Sequence, residues 1–216
     1  MKELLKKDVI LQKITLLFTG AMMIILPIFL KMAIENQQQA LILPSAVGMT
    51  MSLLGLMVLN NVVDEDWKNP KALSYLVSIG YRRRDIILEK FLFALLWFIT
   101  LVAIYGALTL FVPGLPKLHG EMILFFLTNY LFLVGPYLML TIIFGSSVGR
   151  IFFTMIILLI SLGPQIIKIY LKKNDITLDL EKIVSSISVV TIAGISIGIF
   201  ILFYFLSLYF FMKREL

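Results

Sequence analysis

Residues able to carry covalent chemistry are scarce in this chain of 216 residues. Cysteine is absent, which rules out disulfides and thiolate metal sites. The single histidine, His119, belongs to no H-E-x-x-H motif and has no serine partnership, and no paired carboxylates stand inside the apolar runs. A G-x-x-x-x-G-K-[ST] phosphate loop is missing too, so the chain does not cradle a nucleotide in that way. What remains is the chemistry of charge and surface, and it gathers in one stretch, NPKALSYLVSIGYRRRD, residues 69–85.

That stretch reads as a short helix with both ends marked. Asn69 is a good N-cap, and Pro70 fits the first helical position, where its missing N–H costs nothing. Gly80 suits the left-handed residue that ends a helix, so the spacing predicts a helix over 70–79. At 100° per residue Ala72, Leu73, Tyr75, Leu76 and Ile79 share one broad face, with Lys71, Ser74 and Ser78 opposite. A helix this short is not stable alone and must dock on something. Two supports fit: lipid headgroups beneath its apolar face, or a groove in a partner protein. An acidic cluster, Asp64, Glu65 and Asp66, precedes the helix, and the basic cluster Arg82, Arg83 and Arg84 follows it. Their attraction would brace the mouth of the loop, although exposed pairs contribute little each. The three arginines also read as an anchor for the apolar run behind them.

The elements that hold this stretch are apolar runs. Apolar residues make up 60% of the chain, charged residues 15%, and the mean hydropathy is +1.00, which excludes a soluble domain of this size. The expected fold class is all-α, a polytopic membrane protein with six transmembrane helices in one domain over residues 1–216. The spans run from Ile14 to Ile34, Ala40 to Val63, Phe91 to Val112 and Glu121 to Phe144, then from Ile151 onward, and from Ile187 to Met212. The first has no small-x-small cleavage site behind it and is expected to be retained.

Orientation follows from lysine and arginine, which concentrate in cytoplasmic connections. With both termini inside, the inner segments hold Lys2, Lys6, Lys7, Lys13, Lys68, Lys71, Arg82, Arg83, Arg84, Lys90, Arg150, Lys213 and Arg214. The outer ones hold Lys31, Lys117, Lys168, Lys172, Lys173 and Lys182, so thirteen cations stand against six. The net charge of +6 is then a collar facing the lipid bilayer and needs no nucleic acid partner. This topology makes residues 1–13 a cytoplasmic N-terminal segment, 64–90 the longest inner loop and 164–186 an outer segment. The apolar residues of the N-terminal segment, Leu4, Leu5, Val9, Ile10 and Leu11, gather on no single face. Within the spans few polar groups appear, chiefly Asn60, Asn61, Thr128 and Asn129, and no buried charge pair is visible, which argues against an ion-coupled carrier.

The segment LVSIGYRRRDIILEKFL, Leu76 to Leu92, resembles the approach to the third span in ABC-2 type exporter permeases, with Gly80 where many members have proline. The basic N-terminal segment, six spans, long first inner loop and interrupted fifth span extend the resemblance over essentially the whole chain. It implies that residues 64–90 hold a coupling helix seated on a separate ABC ATPase subunit, present in two copies. ATP and magnesium would then bind that partner, and this chain would need no cofactor or metal and would not itself be an enzyme. It further implies a dimer with itself or a homologous permease, the bacterial cytoplasmic membrane as location, and residues 1–13 as an interfacial elbow. Small permeases of this kind resemble exporters of amphipathic peptides, including the phenol-soluble modulin exporters.

In the fifth span, SLGPQIIKIYLKK breaks the expected helix at Gly163 and Pro164, because proline removes a helical hydrogen bond. A kinked span ending at the surface fits, and so does a family-like re-entrant cap over 164–186, with Gly163 and Pro164 as outer gate candidates. The rival reading, the substrate-binding membrane component of a vitamin importer, matches the length but leaves the capped inner loop without a purpose.

Overall fold

The computed structural model describes residues 2–33, 39–68, 70–173 and 188–213, and among these every regular element is helical. A short α1 (Lys2–Leu11) precedes α2 (Lys13–Ala33), α3 (Gln39–Lys68), α4 (Pro70–Ser78) and α5 (Arg83–Phe111). Then follow α6 (Gly120–Phe144), α7 (Ser146–Lys173) and α8 (Val189–Lys213). Apolar sequence takes this form because a helix satisfies all its own backbone hydrogen bonds where no water is present.

Among the described residues, five helical stretches are long and apolar enough to cross a membrane: Lys13–Met32, Leu43–Val63, Arg83–Phe111, Gly120–Phe144 and Val189–Lys213. The fifth of the six expected spans corresponds to α7, whose described apolar portion, Ser146–Leu159, is shorter. The helix itself continues without interruption across Gly163 and Pro164 to Lys173, so the break expected there does not terminate it. Most of the segment expected on the outer side, 174–186, lies outside the described residues. Large apolar side chains cover the outside of the bundle: Ile14 is 84% exposed, Leu110 83% and Phe111 81%, as a lipid-facing surface requires.

The middle of the bundle is closed by aromatics. Helix α6 packs on α8, α3, α7 and α5, and Tyr105, Phe126, Tyr130 and Tyr137 are fully buried. Each hydroxyl finds an acceptor, as burial demands: Tyr130 donates to Ala94 O at 2.8 Å, Tyr105 to Pro116 O at 3.0 Å and Tyr137 to Asn60 Oδ1 at 3.1 Å. Asn61 Nδ2 donates to Thr15 Oγ1 at 3.2 Å, tying α3 to α2. The two asparagines singled out by sequence thus hold helices together.

Two boundaries differ from expectation. The region 64–90 is mostly not a loop: α3 carries on through Asp64, Glu65 and Asp66 to Lys68, and α5 starts at Arg83. Charge marks the edge of the hydrocarbon, but a helix need not end where the apolar run does. The true connection from Asn69 to Arg82 is filled by α4.

Candidate functional site

The connecting helix α4 is held from both sides. Its C-terminal end closes with two hydrogen bonds, Gly80 N–H to Val77 O and Tyr81 N–H to Leu76 O, both 3.1 Å. This pair of bonds is the Schellman arrangement, and it needs a residue with positive φ; Gly80 sits at φ 100°. Tyr81 and Leu76, which that motif brings together, are both half-buried and pack on the core beside Val77. Backbone contacts also seat α4 on α3. The expected cap residue Asn69 lies outside the described residues, but Pro70 is the first helical residue, as its ring predicts.

Seating α4 divides its apolar face in two. Leu76, expected on the docking side, turns toward the molecule's own core. Tyr75 and Ile79, one turn apart, point away and are 64% and 53% exposed. The side chains of Ala72 and Leu73 lie outside the described residues, as do those of Asp64, Glu65 and Asp66, so the bracing expected between the acidic and basic clusters falls there too. Among the arginines, Arg82 and Arg84 are exposed, while Arg83 Nη1 donates to Met212 O at 3.2 Å. That bond satisfies a carbonyl in the last turn of α8, one of those left over at a helix end, and pins α5 to it.

Between α1 and α5, the expectation of no buried charge pair is corrected. Lys90 Nζ lies 2.5 Å from Asp8 Oδ2 and 3.1 Å from Glu89 Oε2, with the three side chains 0%, 3% and 1% exposed. Lys7 reaches the other oxygen of Asp8 at 3.2 Å, while Glu89 Oε1 has no hydrogen-bond partner. Leu4 and Asp8, one turn apart, are the buried residues of α1, and Gln12 just beyond is buried as well. The N-terminal segment therefore has a seating face after all, but a mixed one, which apolar counting could not find. Leu4, Asp8 and Gln12 recur at one-turn spacing, but nothing local in the sequence pairs Asp8 with Lys90, 82 positions away. Lys90 stands two turns inside α5, near its charged end and not at mid-helix, so the cluster is a clamp between α1 and α5 and does not restore a midplane ion path.

At the opposite ends of the helices from α4, no comparable constellation occurs among the described residues. His119 occupies the N-cap position of α6 without a side-chain cap bond, and no group of His, Cys, Asp or Glu able to hold a metal occurs among the described residues. Gly163 and Pro164 lie within α7, with their side-chain surroundings outside the described residues.

A family profile described as ABC-2 family transporter protein matches residues 3–212 of the chain. No curated protein and no solved structure matches it.

Proposed function

Because the chain belongs to the ABC-2 family of transporter proteins, we propose that it is the membrane permease of an ATP-driven exporter, with α4 as the joint to its ATPase. Membership makes it a multi-pass permease and implies an ABC ATPase partner, which accords with the missing phosphate loop. The observation that carries the joint is the outward pair Tyr75 and Ile79 on a helix whose other face is anchored. An exposed Tyr beside an exposed Ile is the anchor type that fills a partner's groove, and a pre-seated helix loses little freedom on docking.

A push on α4 would reach the spans by two short routes: through its backbone seat on α3, and through Tyr81 and Arg82, the two residues that link Gly80 to Arg83 of α5. The Arg83 bond to α8 and the Asp8–Lys90 clamp to α1 make that end of α5 move with its neighbours. With thirteen of nineteen cations on the α4 side, both termini and α4 face the cytoplasm, and α7 completes six spans. The filled interior of one chain favours a path formed between two permeases, self or homologue. The apolar helix surfaces suit a hydrophobic or amphipathic cargo, peptide in our reading, and Gly163 and Pro164 at the far side remain the gate candidates.

The test is transport. Permease and ATPase co-reconstituted in vesicles of bacterial lipid should move a fluorescent amphipathic helical peptide only with ATP and magnesium. Movement without hydrolysis, or uptake of a small vitamin-like ligand in the opposite direction, would contradict the reading.

A further inference from the structure

On the opposite side of α5 from α8, α1 and α2 enclose a groove of about 480 Å³ that the coupling account does not use. Lys6, Val9 and Ile10 line it from α1, and Leu96, Trp97 and Thr100 from α5. We propose that this groove binds an anionic phospholipid, one acyl chain lying on Val9, Ile10, Leu96 and Trp97 with the phosphate at the Lys6 ammonium.

The lining is apolar except for Thr100 and one charged residue, the cation Lys6. Lys6 is exposed, and among the described residues no ion pair is seen for it, even with Glu3 one turn before it. Val9, Ile10 and Leu96 are 50%, 61% and 51% exposed, a surface that water covers badly and a hydrocarbon chain covers well. A groove that joins an apolar floor to a fixed positive charge at the membrane boundary matches a lipid with a negative headgroup. The volume falls in the range of ligand clefts, roughly 300–1,000 Å³, and takes one chain of a phospholipid. The groove is also built in advance. Leu4 and Asp8 seat α1 on α5, so Lys6 is held over the groove and not on a loose terminus. A second copy of this chain is a poor occupant, since a two-fold contact here would set Lys2, Lys6 and Lys13 against the same residues of its mate.

The site does not rest on the exporter reading, and it contains its own reporter. The chain has two tryptophans, Trp67 and Trp97, so Trp67→Phe leaves only the one in the groove. The full-length Trp67→Phe protein is placed in phosphatidylcholine vesicles containing a small fraction of brominated phosphatidylglycerol or brominated phosphatidylcholine, and Trp97 quenching is read. Brominated phosphatidylglycerol should quench at about fivefold lower mole fraction, the ratio given by about 1 kcal/mol for one lysine near the surface. Lys6→Gln should abolish the preference, while Lys2→Gln, which removes an equal charge outside the groove, should keep it. Equal quenching by the two lipids, no quenching by either, or a preference lost equally in both variants would overturn the proposal.

Discussion

Lys90 holds two carboxylates in the buried interior, and that makes it the residue whose loss should be felt most sharply. Lys90→Met would leave Asp8 and Glu89 buried with Lys7 alone on one oxygen, and breaking a buried pair from one side costs about 3–5 kcal/mol. The expected result is release of α1 from α5, seen as faster amide exchange over residues 2–11, with Asp8→Leu in the same chain restoring much of the protection. A second prediction concerns close approach. A Cβ on Gly55 would stand 2.2 Å from Cε2 of Tyr130, a fully buried ring fixed by its bond to Ala94 O. Gly55→Ala should therefore cost about 1–3 kcal/mol by overpacking, read as a lower melting temperature. Gly194, with nothing within 4 Å of its added Cβ, should tolerate alanine. Neither constraint was legible in the sequence. The Asp8 and Lys90 positions are 82 apart, and nothing local in DVI or EKF says that two charges will meet in the interior.

Among the elements, α4 was the most legible because its ends are set by local chemistry. Proline at the first helical position and glycine at φ 100° act through their own backbones, whatever surrounds them. Its faces were only half legible. Hydrophobicity alone merges the side that meets the molecule's own core, Leu76 and Val77, with the side left open, Tyr75 and Ile79, and only packing separates them. The starts of α5 and the end of α3 were misplaced for a related reason: charge marks the edge of the hydrocarbon, and the helix does not stop there. The cap supplies the element's own test. Gly80→Val puts a β-branched residue at positive φ, a strain of about 1–2 kcal/mol or more, and should loosen the last turn of α4. Faster exchange at residues 76–81 with the spans unaffected is the expected result; unchanged exchange would mean that the cap does not hold α4 in place.

At the scale of the whole molecule, the apolar composition announced the helical membrane class directly, since a surface with Ile14, Leu110 and Phe111 so exposed has no place in water. Which copies surround the chain was not legible, because lipid-facing and permease-facing helices share one composition. We predict two permease chains per complex; mass measurement in lipid nanodiscs should give that number, and a single chain that still transports would exclude it. The central claim, that α4 joins the permease to its motor, has a more direct measurement. The Leu76→Asp change would confound it, since Leu76 also seats α4 on the core. Tyr75→Asp with Ile79→Asp alters only outward side chains. Burying those unpaired charges in a partner's groove should cost more than about 3 kcal/mol, a loss beyond roughly a hundredfold in affinity. Retention of the ATPase on this purified double variant, compared with the parent, is the measurement. The account predicts a correctly inserted permease from which the ATPase is lost and ATP hydrolysis uncoupled from transport; full retention with normal coupling would contradict it.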